Sequence, residues 1–195
     1  MIEAIAAIDI NAFLNSNLGE DAWIPGAVLY ATWETIYMVL ISTAVSYIVG
    51  LPLAIILVTT EKGHVLENQR VNEVLGAIVN AFRSIPFIIL LILLIPFTRL
   101  IVGTSIGTVA SIVPLSIAAI PFVARLVETS IKEIDWGLIE AALSMGANAW
   151  QIIRKVLIPE AVPSIVLGVA ITAINLVGYS AMAGILGGGG LGTLA

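Results

Sequence analysis

Four stretches of this chain stay apolar for about twenty residues or more, and nothing else in it limits the fold as strongly. They run from about Glu34 to Val58, Leu75 to Val102, Gly107 to Val127 and Pro163 to Leu186. At 1.5 Å per residue, a helix of about twenty residues crosses a hydrocarbon core of roughly 30 Å. Hydrophobic residues make up 59% of the 195 and charged residues 11%, which is more apolar surface than a water-soluble domain can bury. The expected fold is therefore all-α, a polytopic transmembrane helical bundle of four spans in a single domain over residues 1–195. The chain has no cysteine, which excludes disulfides and thiolate metal sites. No nucleophile–base pair and no metal-ligand spacing stands out, so neither an enzyme nor a metal site is expected. The chain has no basic patch for a nucleic acid.

Residues 1–27 carry Glu3, Asp9, Glu20 and Asp21 but no lysine or arginine, unlike a signal peptide. Ile2, Ile5, Ile8, Phe13 and Leu14 predict a short interfacial helix there. Tyr30, Trp33 and Tyr37 open the first span where aromatic rings favour the interface, and Glu34 beside them reads as a headgroup-level charge at a helix N-terminus. A polar connection over residues 59–75 holds His64, the only histidine, with no metal partner. The second span has Arg83 early and Arg99 late, both expected to snorkel or face protein, and Pro86 and Pro96 should kink it. Arg125 marks the far end of the third.

The fourth span differs in kind. Gly168, Ala170, Ala173, Gly178, Ala181 and Gly184 let backbones approach closely, so this helix is expected to be central. Thr172, Asn175, Tyr179 and Ser180 add hydrogen-bonding groups at membrane depth, which suggests a pore lining over mere packing glue. Met182 shares a face with Gly178 and could close a pore against its copy across a two-fold axis. Ordinary helix packing is the alternative for Met182. The run Gly187–Gly190 has no preceding strand and no following lysine, so it is not a phosphate loop.

Lysine and arginine set the orientation. Lys62, Arg70, Arg83, Arg125, Lys132, Arg154 and Lys155 fall on one side and Arg99 on the other, which puts residues 135–160 in the cytoplasm and both chain ends outside. In that loop Glu140 and Ser144 share one side of a short helix, with Leu138, Ile139, Ala142 and Leu143 on the other. Gly146 then bends the chain with φ > 0. In a second helix Ile152, Ile153, Val156 and Leu157 oppose Gln151, Arg154 and Lys155, and Pro159 is expected to end it. Two short amphipathic helices joined at a glycine make a docking element. A helix lying on the membrane surface is the alternative.

The residues Glu140-Ala141-Ala142, Gly146 three further on, and Val156-Leu157-Ile158-Pro159 after nine more resemble the EAA loop of ABC importer permeases, EAA-x3-G-x9-I-x-L-P. Val156 and Ile158 depart from that pattern conservatively. The stretches 80–87, 95–108, 137–160 and 178–192 together look like the permease subunit of a methionine ABC importer, a type I permease, and the likeness spans most of residues 31–192. The resemblance implies an inner-membrane homodimer, two copies of a separate ATPase that binds the ATP, and an extracytoplasmic methionine-binding protein. It implies no cofactor in this chain. Glu140, Ala141, Ala142, Ser144, Gly146 and Pro159 would couple the permease to the ATPase, with Gly178, Asn175, Tyr179, Ser180 and Met182 along the path. Family members continue past the glycine run into a further span, whereas the sequence stops at Ala195, so the resemblance implies a truncated chain or an unusual member. Two other functions compete: an ion-gradient-driven transporter or channel, and a membrane assembly subunit without transport. Charged residues near span ends weigh against the first of these.

Overall fold

A computed structural model describes residues 23–194. The helix expected from Ile2 to Leu14, and the placement of the N-terminal end, lie outside the described residues. Seven helices follow one another: α1 (Trp23–Thr59), α2 (Gln69–Ser84), α3 (Phe87–Leu93), α4 (Ile95–Val102), α5 (Thr108–Lys132), α6 (Trp136–Ser144) and α7 (Ala149–Ile185). Helices α1, α5 and α7 are each long and apolar enough to cross a membrane, and the bent pair α2–α3 makes a fourth candidate. Their large apolar residues, Ile48, Leu93 and Ile174 among them, face outward, as a lipid-embedded bundle requires.

The α1–α5 pair is the most extensive contact in the fold. Its cause is a stripe of small residues at every fourth position of α1: Ser42, Ser46, Gly50 and Ala54, all buried. A Cβ on Gly50 would press into Val123 at 2.8 Å, so only glycine permits this approach. Ser46 Oγ donates to the Ser116 carbonyl of α5 at 3.2 Å and Ser42 Oγ to the Ile112 carbonyl at 3.4 Å, binding the helices where water is absent. Two apolar cores flank the stripe. One joins Val58, Val127 and Ile131 to Ile139, Ile152 and Leu157 at the end rich in lysine and arginine, called here the basic end. The other joins Met38, Phe87, Leu115, Leu176 and Ala183 toward the opposite, glycine-rich end.

The second span is not one helix. Between α2 and α3 the axis turns by 103°. Pro86 excludes the helical region for the residue before it, and Ile85 is extended at φ −81°, ψ 123°. Pro96 sits in the first turn of α4, where its missing N–H costs nothing, so the chain breaks again at Leu94. Helix α2 is held along α5 by Arg125, whose Nη2 donates to the Gly76 carbonyl (3.2 Å) and Asn80 Oδ1 (3.0 Å). Its last turn consequently reaches Ala118 and Phe122 of α5. Each of those residues lies about 15 Å from one end of α5 and about 21 Å from the other. Arg83 therefore stands at mid-height in the bundle and not near a span end, which corrects the sequence expectation.

Candidate functional site

The segment between α5 and α7 is a stiff elbow. Asp135 caps α6, its Oδ1 accepting the Gly137 N–H at 2.7 Å. The helix stops at Gly146, which has φ +78°. The Gly146 N–H donates to the Leu143 carbonyl (2.9 Å) and the Ala147 N–H to the Ala142 carbonyl (3.0 Å), the paired bonds of a Schellman stop. No atom lies within 4 Å of a Cβ built on Gly146, so the site demands a backbone conformation and not space. Asn148 then starts the next helix through a reciprocal cap: its Oδ1 accepts the Gln151 N–H and Gln151 Oε1 accepts the Asn148 N–H, both at 2.9 Å. Stop and start are two residues apart, which leaves little freedom in the angle between them.

One face of the elbow is anchored and the other is open. Ile139, Ala142, Ile152, Ile153 and Leu157 are buried against the ends of α1 and α5. Glu140, Ala141 and Ser144 are exposed. Leu138 and Leu143, expected on the covered side, are 46% and 45% exposed, because only Ile139 and Ala142 point at the core from so short a helix. With Trp136, Met145 and Trp150 they form an apolar surface on an otherwise polar end. A cavity of about 320 Å³ beside it is lined by Met145, Gly146, Gln151, Lys155 and Val156. The Trp136 ring also meets His64 edge-on, with centroids 5.4 Å apart.

Pro159 does not end the second helix. Helix α7 continues through it, from an α turn at Ala149–Ile152 through a π turn at Ile153–Leu157 into Ile158–Ile185. The Ile158 N–H reaches back to the Ile153 carbonyl, one residue further than in an α-helix. This wider turn accommodates a proline that has no N–H and whose ring would clash with the carbonyl four residues before it. The second arm of the elbow and the fourth span are thus one continuous helix.

The five path residues expected on α7 divide between faces. Asn175, Gly178 and Met182, spaced i, i+3, i+7, are exposed on one face. Tyr179 is half-buried and stacks on Phe87 with centroids 4.5 Å apart and planes 5° from parallel. Ser180 is 3% exposed and bonds within its own helix, to the Val177 carbonyl at 2.7 Å, so it does not join the open face.

Sequence reasoning missed the arrangement at the glycine-rich end. Glu34 sits well inside α1, not at a helix N-terminus. Its Oε1 accepts from Thr108 Oγ1 (2.6 Å) and its Oε2 accepts the Gly190 N–H (2.9 Å). Thr35 Oγ1 accepts the Leu191 N–H (3.0 Å), and Ser111 Oγ donates to the Gly188 carbonyl (3.0 Å). The glycine run thereby folds back over the ends of α1 and α5. Gly192 packs backbone to backbone on Gly184 and Ala181, a spacing that any side chain would destroy. The only sequence signal was a carboxylate inside an apolar stretch.

Residues 50–195 match the family described as binding-protein-dependent transport system inner membrane component. A probable D-methionine transport system permease protein of Vibrio cholerae is 59% identical over 168 residues, covering 86% of this chain and 75% of that one. The D-methionine transport system permease protein of Escherichia coli K12 is 54% identical over 152 residues, 78% of this chain and 70% of its own. A solved chain of the MetNI methionine ABC transporter in an inward-facing conformation superposes with a TM-score of 0.86 at 51% identity, covering 88% of this chain and 79% of that one. An amino acid ABC transporter crystallised with histidines superposes at 0.71 and 22% identity over 88% and 77%, a likeness of fold alone.

Proposed function

Given that the chain belongs to the family of binding-protein-dependent transport system inner membrane components, we propose that it is the methionine-conducting permease of an ATP-driven importer. It is a multi-pass inner-membrane permease component, not an enzyme. The observation that carries the reading is the elbow at residues 135–159, anchored on one face and apolar on the other, and continuous with α7. A separate ATPase, two copies in the assembly, docks on that open face. Glu140, Ala141, Ala142, Ser144 and Gly146 form or shape the contact, and Pro159 marks where α7 widens. The basic end faces the cytoplasm under the lysine and arginine bias. The open face of α7, with Asn175, Gly178 and Met182, faces a second copy of the chain across the path, and Met182 gates it. An extracytoplasmic binding protein delivers methionine, L or D, at the glycine-rich end. Identities of 54–59% to proteins named for D-methionine transport support that choice of cargo.

The test is uptake of radiolabelled L- and D-methionine by proteoliposomes holding the permease, its ATPase and its binding protein. Uptake should require ATP on the elbow side and persist when proton and sodium gradients are collapsed. Uptake driven by a gradient without ATP would replace this reading with a secondary transporter. Orientation is checked separately. A cysteine at Asn148, in a chain otherwise free of cysteine, should resist an impermeant thiol reagent in intact cells.

A further inference from the structure

A cavity of about 180 Å³ lies where α2 breaks into α3, walled by Arg83, Phe87, Ala118, Phe122 and Tyr179. Its place in the bundle is unusual. Ala118 and Phe122 straddle the midpoint of α5, so the exposed Arg83 side chain stands level with the middle of that span, a depth at which charged side chains are rare and face a cavity or the bundle interior. Arg83 has no ion pair and no hydrogen-bond partner among the described residues, whereas Arg125, one turn beyond Phe122 on α5, pairs with Glu128 and bonds Gly76 and Asn80. The helix break at Ile85–Pro86 adds irregular backbone at the same depth, and such breaks are tolerated inside a membrane where they line a cavity. The parallel rings of Phe87 and Tyr179 and the ring of Phe122 line the same cavity as Arg83. Tyr179 directly follows Gly178 of the open face of α7, so the cavity adjoins the proposed path.

The geometry points to a binding site for the transported amino acid in transit, with Arg83 holding its α-carboxylate and the rings holding its side chain. A guanidinium fork matches a carboxylate in two parallel hydrogen bonds. A thioether is attracted to aromatic rings at about 5 Å, often at the ring edge. The volume exceeds the roughly 150 Å³ in which an apolar cavity holds benzene. The site takes free amino acids with apolar or thioether side chains, and methionine in particular rests on the function proposed above. Arg83 recognises what all α-amino acids share, and the rings select among them.

Binding of radiolabelled L-methionine to the purified permease–ATPase complex, without the binding protein, tests the site. Arg83→Ala should weaken it at least tenfold, Arg83→Lys less, and Arg99→Ala not at all, since Arg99 bonds Ser105 far from the cavity. Phe122→Trp keeps the arginine but fills the cavity, and should weaken binding comparably. Methioninol, which lacks the carboxylate, should bind wild type and Arg83→Ala alike. If Arg83→Ala does not assemble, Phe122→Trp and the preference for methionine over methioninol decide. Wild-type affinity in both Arg83→Ala and Phe122→Trp, or equal affinity of wild type for methionine and methioninol, overturns the proposal. A wild-type importer that carries another amino acid but no methionine overturns the choice of cargo instead, and Arg83→Ala must then weaken that amino acid equally.

Discussion

The two ends of the bundle solve opposite problems. At the glycine-rich end hydrogen bonds and backbone contacts within the chain tie the helices together. Glu34 ties α1 to Thr108 and Gly190, and Gly184 and Gly192 touch through their backbones. At the basic end Trp136, Leu138, Leu143, Met145 and Trp150 are left uncovered on a helix pair whose backbone is nonetheless fully capped. Rigidity without coverage is what a surface needs when its partner is another protein, because ordering costs have been met before docking. The first end is thus fastened by the chain's own polar and backbone contacts, and the second offers an apolar surface to the proposed ATPase.

The largest effect should come from the glycine-rich end. A valine at Gly192 would drive its Cβ into the Ala181 backbone, which cannot rotate away as a side chain could. We expect Gly192→Val to destabilise the purified permease by about 1–3 kcal/mol or more, read as a lower thermal midpoint. A midpoint within 1 °C of wild type would mean that the end is looser than described. Glu34→Ala comes next, since it leaves the Gly190 N–H and the Thr108 hydroxyl unpaired in a part-buried site, at a cost of about 1–3 kcal/mol. Glu34→Gln, which keeps one acceptor, should lose less. Equal losses would deny the carboxylate its double role.

At the open end the sign of the comparison reverses: function should fall more than stability. Gly146→Val places a β-branched residue at φ +78°, with strain of about 1–3 kcal/mol, and resets the elbow angle. ATP-driven uptake should be lost while the permease inserts and the isolated ATPase still hydrolyses ATP. Normal uptake by this variant would show that the bend is not needed for coupling. Leu143→Asp adds a charge to an exposed position, so the permease alone should keep its thermal midpoint while co-purification of the ATPase drops. Undiminished co-purification would place the docking surface elsewhere.

How far the sequence could be read follows the same division. The spans were legible because hydropathy is a local property, and the elbow because its glycine and its spacing lie within twenty-five consecutive residues. Glu34 was misjudged because its partner Gly190 lies 156 residues away and no local pattern joins them. Arg83 was placed at a span end because hydropathy cannot tell a helix that climbs beside α5 from one that lies outside it. Pro159 was taken as a stop because proline's local rule is strong, and the π turn that absorbs it leaves no mark in composition. Ser180 was grouped with Asn175 and Gly178 by polarity, although a helical wheel already puts it on another face.

The smallest expected effect tests how firmly the elbow is held to the loop after α1. His64 packs edge-on against Trp136, and its Nδ1 accepts the Val65 N–H at 3.0 Å, a bond that only the unprotonated nitrogen can make. Burial lowers the His64 pKa, Glu61 opposes that by favouring the cation, and Lys132 adds to the lowering. The folded state therefore holds its proton less tightly than the unfolded chain, whose histidines titrate near 6.5. Stability from the contact is complete above about pH 6.5 and erodes as the pH falls from there through the lowered folded value. The ring is half exposed, so screening keeps the effect small, below the roughly 2–4 °C that 1 kcal/mol makes in a domain of this size. His64→Phe keeps an aromatic ring beside Trp136 and removes the titration. Between pH 7.5 and 5.5 the wild-type midpoint should fall slightly further than that of His64→Phe, and equal falls would show that the loop contact contributes nothing to holding the elbow.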